Sequence, residues 1–163
     1  MIRLSIGIIG CGLITQVEHL PNLLALSSLF EVVGVVDPSA KVRAHLAHLH
    51  GVAAFATADE LFDRKPDCVV IATPDAYHVD LTLEALARGI NVFVEKPLCY
   101  SPSEAVRVAK ARDAAGKVVQ VGYMKRFDPA YLALRDLLLA QETELKAVTV
   151  EVHDPDFWPF VEH

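Results

Sequence analysis

The sequence predicts an α/β protein built on a doubly wound parallel sheet, and two observations support this prediction. Short apolar runs rich in Val and Ile alternate with segments of helical periodicity over residues 1–122. Several of these runs are continuously apolar, as expected for strands buried on both faces. Strict alternation of strands and helices with short connections is typical of a parallel sheet with right-handed crossovers.

The predicted strands share an apolar, β-branched character. They are Leu4–Ile9, Glu31–Val36, Val52–Phe55, Cys68–Ala72, Asn91–Val94 and Lys117–Val121. The predicted helices lie between them, at Ile14–Leu26, Ala40–Leu49, Tyr77–Arg88 and Ser103–Ala115. Ser101 is placed to cap the last helix, and Gly89 and Gly116 follow helix ends, where glycine is favoured.

Residues 123–163 depart from this alternation and predict the start of a second, α+β domain. Pro129–Ala140 reads as a connecting helix, and Lys146–His153 alternates as a half-buried strand. An aromatic cluster follows at 154–160 with no element to cover it, so we expect the chain to stop just inside a truncated domain. The unpaired edge of the terminal strand offers a route to strand exchange or a non-native dimer. A homo-oligomer is expected for the protein.

Composition excludes several classes of function. The net charge of -6 and the absence of a Lys/Arg block argue against nucleic acid. The first apolar run is too short to span a membrane and has no basic lead-in. Three cysteines without a paired spacing suit reduced thiols, which predicts a cytoplasmic protein. The histidines at 45, 48 and 50 have no carboxylate or cysteine to complete a ligand set, so no metal site is predicted.

A glycine turn follows the first predicted strand and predicts a phosphate-binding loop. Gly10 allows a tight turn out of the strand, and Gly12 removes the side chain that would keep a pyrophosphate from the amides at the helix start. The cofactor-binding residues predicted in this segment are Gly10, Cys11, Gly12, Leu13 and Ile14. Thr15 stands where a third glycine is usual. Alone, this loop is also compatible with flavoproteins and methyltransferases.

Asp37 ends the second predicted strand, where a carboxylate can accept hydrogen bonds from both hydroxyls of an adenosine ribose. A 2'-phosphate would meet this charge at a cost of up to about 4 kcal/mol at an effective dielectric of 20. NAD is therefore predicted as the cofactor, with NADP less favoured. A solvated strand-end Asp is the alternative, and Lys41 and Arg43 could relieve part of the repulsion.

Two further turns end the fourth and fifth predicted strands, at the same edge of the sheet. Thr73 and Pro74 leave the fourth strand, and Glu95, Lys96 and Pro97 leave the fifth. The first turn could lie beneath a cofactor or could be an ordinary strand-to-helix connection. The lysine is expected to lie over the crevice.

These motifs, in this order, resemble the Gfo/Idh/MocA family, named for glucose-fructose oxidoreductase and inositol dehydrogenase. The matching segments are Gly10-Cys11-Gly12, Asp37-Pro38, Thr73-Pro74 with His78, Glu95-Lys96-Pro97, and residues 121–129 around Arg126. The Glu-Lys-Pro triplet is the most diagnostic of them.

The resemblance implies an NAD(P)-dependent oxidoreductase that acts on a sugar, cyclitol or polyol. It implies that Lys96 lies near the nicotinamide and the reacting hydroxyl as the catalytic lysine. It implies cofactor contacts for the Thr73-Pro74 turn, His78, Glu95 and Arg126. The family's acid/base histidine belongs to its second domain, and no histidine here matches it, so we expect this chain to bind NAD without turnover.

The sequence leaves alternatives open for two histidines and for the function. His19 and His78 occur early in helices, where a histidine hydrogen-bonded within the fold is the commoner case. A non-catalytic NAD-binding regulatory module would use the glycine turn and Asp37 but would not need Lys96. A methyltransferase would leave the Glu-Lys-Pro triplet unexplained.

Overall fold

The computed structural model describes residues 3–140 together with residues 147, 149 and 151. Six parallel strands form one sheet in the order β3-β2-β1-β4-β5-β6. The strands are β1 (Leu4–Ile9), β2 (Phe30–Val36), β3 (Ala54–Phe55), β4 (Cys68–Ile71), β5 (Asn91–Val94) and β6 (Val119–Val121). This is the doubly wound order, so the predicted fold class is confirmed.

The described residues form helices α1 (Leu20–Ala25), α2 (Ala40–His50), α3 (Ala58–Phe62), α4 (His78–Ala87), α5 (Pro102–Ala115) and α6 (Pro129–Leu139). Helices α1 to α5 connect successive strands, and α6 follows the last strand of the sheet. A π-helical turn at Thr15–His19 leads into α1, and 3₁₀ turns occupy Asp75–Tyr77 and Met124–Phe127.

Both faces of the sheet are covered. In β4, Val69 and Ile71 belong to one buried cluster, whereas Val70 between them belongs to a second cluster with Ile8. Side chains alternate between the faces of a strand, so two clusters require helices on both sides. This explains why the strands read as continuous apolar runs.

The predicted helix signals are present at α4 and α5. Ser101 accepts the amide of Glu104 while the Glu104 carboxylate accepts the amide of Ser101, a capping box. Gly116 ends α5 at a φ of 61°, and Gly89 follows α4 at a φ of 72°. Both are left-handed conformations that glycine adopts without strain.

Several elements differ from the prediction, including β3, which is shortened to Ala54–Phe55. β6 begins at Val119 rather than Lys117, because the amide of Val118 donates to the Asn91 side chain at 3.0 Å instead of continuing the ladder. The short helix α3 was not predicted, although Thr57 and Glu60 form a capping box at its start.

The chain separates into two compact units, Met1–Tyr123 and Met124–His163. In the second unit, Asp128 caps α6 by accepting the amide of Ala130 at 2.9 Å. The strand predicted at Lys146–His153 and the aromatic cluster at 154–160 lie outside the described residues. The interpretation of residues 123–163 as the start of a substrate domain stays a prediction.

Candidate cofactor-binding site

The predicted site segments of the first unit leave the sheet at its carboxyl edge. Gly10 follows β1 and donates its amide to Val36 O of β2 at 2.9 Å. On the other side, Ala72 follows β4 and donates to Ile9 O of β1 at 2.8 Å. The strand order reverses between β1 and β4, so a crevice is expected here, where dinucleotides bind in folds of this class.

Gly10 is required by its backbone. Its φ is 93°, and a Cβ at this position would lie 2.6 Å from Ala72 O and 2.7 Å from the nitrogen of Thr73. The glycine turn therefore packs directly against the chain that leaves β4. A residue that carries a Cβ does not fit here without displacing the backbone.

No contact within the fold requires a glycine at position 12. A Cβ added there would meet no atom within 4 Å, so the space beside it is open. Leu13 and Ile14 follow, with 67% and 40% of their surface exposed. The first amides of a helix have no intrahelical acceptor. The loop thus offers open space, free amides and exposed apolar side chains together, which fits a dinucleotide.

Thr15 stands where a third glycine is usual, and its side chain is buried in the interior. Its side chain is 0% exposed and its hydroxyl donates to Gly10 O at 2.6 Å. The π-helical turn begins at this residue. Turns of this kind occur frequently at functional sites.

Cys11 contributes through its backbone. Its amide donates to Asp37 Oδ2 at 3.0 Å, and its Sγ lies 3.3 Å from Val36 O. Burial, together with the neighbouring Asp37 charge, raises the pKa of the Cys11 thiol to about 12. The thiol is therefore neutral at physiological pH and is not a nucleophile.

Asp37 connects the glycine turn to the end of β2. One carboxylate oxygen accepts the Cys11 amide, and the other accepts the amide of Ser39 at 2.9 Å. A carboxylate has about four lone-pair sites, so acceptor capacity remains for ribose hydroxyls. Arg43 donates to the backbone oxygens of Asp37 and Pro38 at 2.7 and 2.9 Å.

The Thr73-Pro74 turn holds one unsatisfied polar atom. Thr73 Oγ1 is buried and has no hydrogen-bond partner within the described part of the chain. Because an unpaired buried hydroxyl costs free energy, a partner supplied by a bound molecule at this edge would be favourable.

His78 lies beneath this turn and is 1% exposed. Its Nε2 is 2.9 Å from Thr73 O, and its Nδ1 is 2.7 Å from Pro97 O. Both ring nitrogens are thus engaged within the fold, so neither is available for the cofactor contact that was expected of His78. The residue joins the turn after β4 to the turn after β5.

The Glu95-Lys96 pair has two different environments. Glu95 Oε1 lies 2.9 Å from His19 Nε2, in a pair whose side chains are about one fifth exposed, and the His19 ring packs edge-on against Phe93. Lys96 is exposed, and its amine has no hydrogen-bond or ion-pair partner among residues 3–140. The glutamate is held in place, whereas the amine is free to act on a ligand.

Asp75 and Tyr100 form a second connection between the turn after β4 and the segment after β5, closer to the surface. The Tyr100 hydroxyl donates to the Asp75 carboxylate, and this bond is the main reason why the pKa of Asp75 is lowered. Both side chains are solvent-accessible at this point, so the bond contributes little to stability.

Sequence reasoning did not foresee the His19–Glu95 and Asp75–Tyr100 contacts. The partners are separated by 76 and 25 residues. Each pair does join a carboxylate at a strand end to a donor near a helix start, but no local pattern specifies the partner.

Arg126 lies in the 3₁₀ turn Met124–Phe127 of the second unit and is exposed. Its contact with the cofactor stays a prediction. Among the described residues, no group of three or more His, Cys, Asp or Glu side chains is arranged to hold a metal ion, and no helix is long and apolar enough to cross a membrane.

Comparison with known proteins agrees with this geometry. Residues 4–123 match the Gfo/Idh/MocA model of the oxidoreductase family with an NAD-binding Rossmann fold. An inositol 2-dehydrogenase of Leifsonia xyli subsp. xyli is 35% identical over 139 residues, which cover 84% of this chain and 41% of that protein. The rhizopine catabolism protein MocA of Rhizobium meliloti is 36% identical, over 83% of this chain and 42% of its own length.

A solved structure shows the same relationship. GenD2 from gentamicin A biosynthesis, crystallised in complex with NAD, superimposes with a TM-score of 0.77 at 33% identity, covering 84% of this chain and 39% of that one. The chain spans about two fifths of the length of these relatives. On the strength of its motifs, fold and family match, this chain belongs to the Gfo/Idh/MocA family of oxidoreductases and contains its NAD-binding Rossmann domain.

Proposed function

We propose that this chain is the cofactor-binding part of an oxidoreductase that moves a hydride at a secondary alcohol of a sugar, cyclitol or polyol. The observation that supports this most is the shared position of four segments. The glycine turn, Asp37, the Thr73 turn and Lys96 all follow strands at the carboxyl edge, on both sides of the point where strand order reverses.

The cofactor contacts proposed for this edge follow from its chemistry. The pyrophosphate would bind the amides beside Gly12, and Asp37 would accept the adenosine ribose hydroxyls. Leu13 and Ile14 would cover apolar surface of the dinucleotide. Thr73 and Pro74 would lie beneath it. When bound, NAD supplies the hydride acceptor.

Lys96 is the proposed catalytic residue. An alcohol that loses a hydride must also lose its hydroxyl proton, and negative charge develops on the oxygen in between. An ammonium beside that oxygen stabilises this charge and orients the hydroxyl. Glu95, held by His19, fixes the turn from which Lys96 extends.

We propose NAD rather than NADP because Asp37 places a negative charge where a 2'-phosphate would bind. Arg43 is held beside this position by bonds from Nη1 to Asp37 O and Pro38 O, and its charge would relieve only part of the repulsion. The discrimination arises from repulsion of up to about 4 kcal/mol at an effective dielectric of 20.

The substrate and the complete reaction are proposed for a longer protein. The two curated relatives match this chain over about two fifths of their own lengths. The acid/base histidine that the resemblance implies has no counterpart in this sequence. We therefore propose that this chain binds NAD and is inactive alone, and that Arg126 approaches the cofactor in the complete enzyme.

Calorimetric titration of the chain with NAD and with NADP tests the cofactor proposal. We expect the unaltered chain to bind NAD. In Asp37→Asn, the affinity for NAD should fall, and the difference between the affinities for NAD and NADP should become smaller. Asp113→Asn is the matched control, since Asp113 is an exposed carboxylate near the end of α5. Equal affinity of the unaltered chain for both dinucleotides would contradict the role of Asp37.

An assay of NAD reduction with myo-inositol and glucose tests the proposal that the chain is inactive alone. We expect no turnover by the isolated chain. Rates on the order of 1 to 1000 per second, the usual range for enzymes, would show that the missing groups are not needed.

A further inference from the structure

The buried ring of His78 lies between two backbone carbonyl oxygens, one near each ring nitrogen. Thr73 O is 2.9 Å from Nε2 and Pro97 O is 2.7 Å from Nδ1, and the side chain is 1% exposed. Carbonyl oxygens accept hydrogen bonds and cannot donate them. Both nitrogens must therefore donate if both contacts are favourable.

A neutral imidazole cannot meet this requirement, because it carries one N–H and one lone pair. In that state one nitrogen lone pair would face a carbonyl oxygen at hydrogen-bonding distance in the interior. Turning the ring over would place carbon atoms at both contacts and would lose both bonds. The doubly protonated ring satisfies both carbonyls at once.

Among the described residues, no carboxylate forms a hydrogen bond or ion pair with His78, so the two carbonyl oxygens are the polar partners of its ring. Asp75 interacts electrostatically with the His78 ring, although the Tyr100 hydroxyl is the main reason why the pKa of Asp75 is lowered. The charged groups on α4 and at its end are Asp80, Glu84 and Arg88, and those that follow β5 are Glu95 and Lys96. The charged groups on α5, which packs against α4, are Glu104, Arg107, Lys110, Arg112 and Asp113. Of these carboxylates, Glu84 pairs with Arg88, Glu95 pairs with His19, and Glu104 caps α5.

We propose that His78 is a positioning residue that holds the Thr73 turn and the Lys96-Pro97 turn at a fixed separation, and that it does so as a buried imidazolium. Thr73 belongs to the proposed floor of the NAD site, and Pro97 directly follows the proposed catalytic lysine. One ring thus sets the distance between cofactor and lysine without touching a ligand. The link to NAD rests on the proposed function, whereas the state of the ring does not.

Nitrogen NMR of the chain labelled with ¹⁵N-histidine, without NAD and near neutral pH, tests the ring directly. We expect His78 to show two protonated ring nitrogens whose protons exchange slowly with water. His78→Gln identifies its signals among those of the seven histidines by their disappearance. A single protonated nitrogen in the folded chain would overturn the imidazolium, even if NAD binds tightly.

Two substitutions test the hydrogen bonds to Pro97 O and to Thr73 O separately. In His78→Asn the amide nitrogen falls near the former Nδ1 and can reach Pro97 O only. In His78→Gln it falls near the former Nε2 and can reach Thr73 O only. We expect each variant to bind NAD about tenfold more weakly, the size of effect that about 1.4 kcal/mol produces.

A pH profile of NAD affinity distinguishes this role from a merely structural one. In the unaltered chain, affinity should fall as the pH rises and the ring gives up a proton, since the charged form makes the bonds. The Gln variant should lack this fall. An unaltered affinity in both variants, or identical pH profiles, would overturn the positioning role, whereas no NAD binding by the unaltered chain would contradict the proposed function and leave the NMR result standing.

Discussion

The two edges of the sheet use polar groups in opposite ways. At the amino edge, side chains bond one another across four strand starts. Asp67 accepts the amide and the hydroxyl of Ser5 at 2.8 and 2.7 Å. Asn91 donates to Asp67 O at 2.8 Å and accepts the amide of Val118 at 3.0 Å.

At the carboxyl edge, some polar groups are left for a ligand. Asp37, His78 and Glu95 tie neighbouring segments together. The Lys96 amine and Thr73 Oγ1 have no partner within the described residues, and the space beside Gly12 is empty.

A cleft of about 510 Å³ at the amino edge sharpens this difference. Asp67, Arg88 and Asn91 are among the residues that line it. Arg88 pairs with Asp59 and Glu84, so its charge is already compensated. This cleft therefore does not offer the free polar groups that are present beside the Thr73 turn and Lys96 at the carboxyl edge.

The largest expected effect comes from Gly10→Ala. The new Cβ would lie 2.6 Å from Ala72 O at a φ of 93°. Left-handed strain of about 1 to 2 kcal/mol and overpacking of about 1 to 3 kcal/mol should together lower the free energy of unfolding by roughly 2 to 5 kcal/mol. Urea unfolding measures this. A change below about 0.5 kcal/mol would show that the glycine turn is not packed as described.

Gly12→Ala is the matched comparison at the same loop. Nothing lies within 4 Å of the added Cβ, so the free energy of unfolding should stay constant or rise by about 0.4 to 1 kcal/mol. NAD affinity should nevertheless fall by at least about tenfold, since the methyl group would occupy the space proposed for the pyrophosphate. Calorimetry and urea unfolding on one preparation separate the two effects. Unchanged affinity would place the pyrophosphate elsewhere.

Asn91→Ala tests the amino edge. It removes two hydrogen bonds, which link β5 to Asp67 O and to Val118. At about 0.5 to 1.5 kcal/mol each, their loss should reduce the free energy of unfolding by roughly 1 to 3 kcal/mol. NAD affinity should not change, because the site lies at the other edge. A change in affinity beyond about threefold would contradict the separation of the two edges.

The smallest expected effect is the pH response of Asp67. The Ser5 hydroxyl and amide lower the pKa of this carboxyl below its ordinary value of about 3.9. A lowered folded-state pKa contributes stability that is present above the unfolded pKa and is lost as pH falls through the folded one. Ser5→Ala should therefore reduce the loss of stability on acidification from about pH 5 downward. Urea midpoints over this range measure it, and an identical acid response in both proteins would exclude the contribution.

Much of the fold followed from local patterns. The bounds of β1 and β5 were predicted to the residue, and the Ser101 cap and Gly89 stop were located correctly. Each depends on the alternation of side chains or on backbone conformations near in sequence. β3 is shorter than predicted, with Ala54 and Phe55 alone in the ladder, because pairing depends on where the neighbouring strand ends.

The candidate site divides in the same way. Its motifs were visible in the sequence because glycine, aspartate and lysine have few roles at strand ends of a parallel sheet. Their cross-connections were not, since His19 meets Glu95, and His78 meets Pro97, through the folding of the whole sheet.

The sequence alone determined the class of fold, the family and the edge at which chemistry is expected, because periodicity, glycine turns and the Glu-Lys-Pro triplet are local properties. Only the tertiary structure decided which polar groups are already used and which are free. Hydrogen bonds between residues distant in sequence depend on distances that the packed sheet sets, and no local pattern encodes those distances.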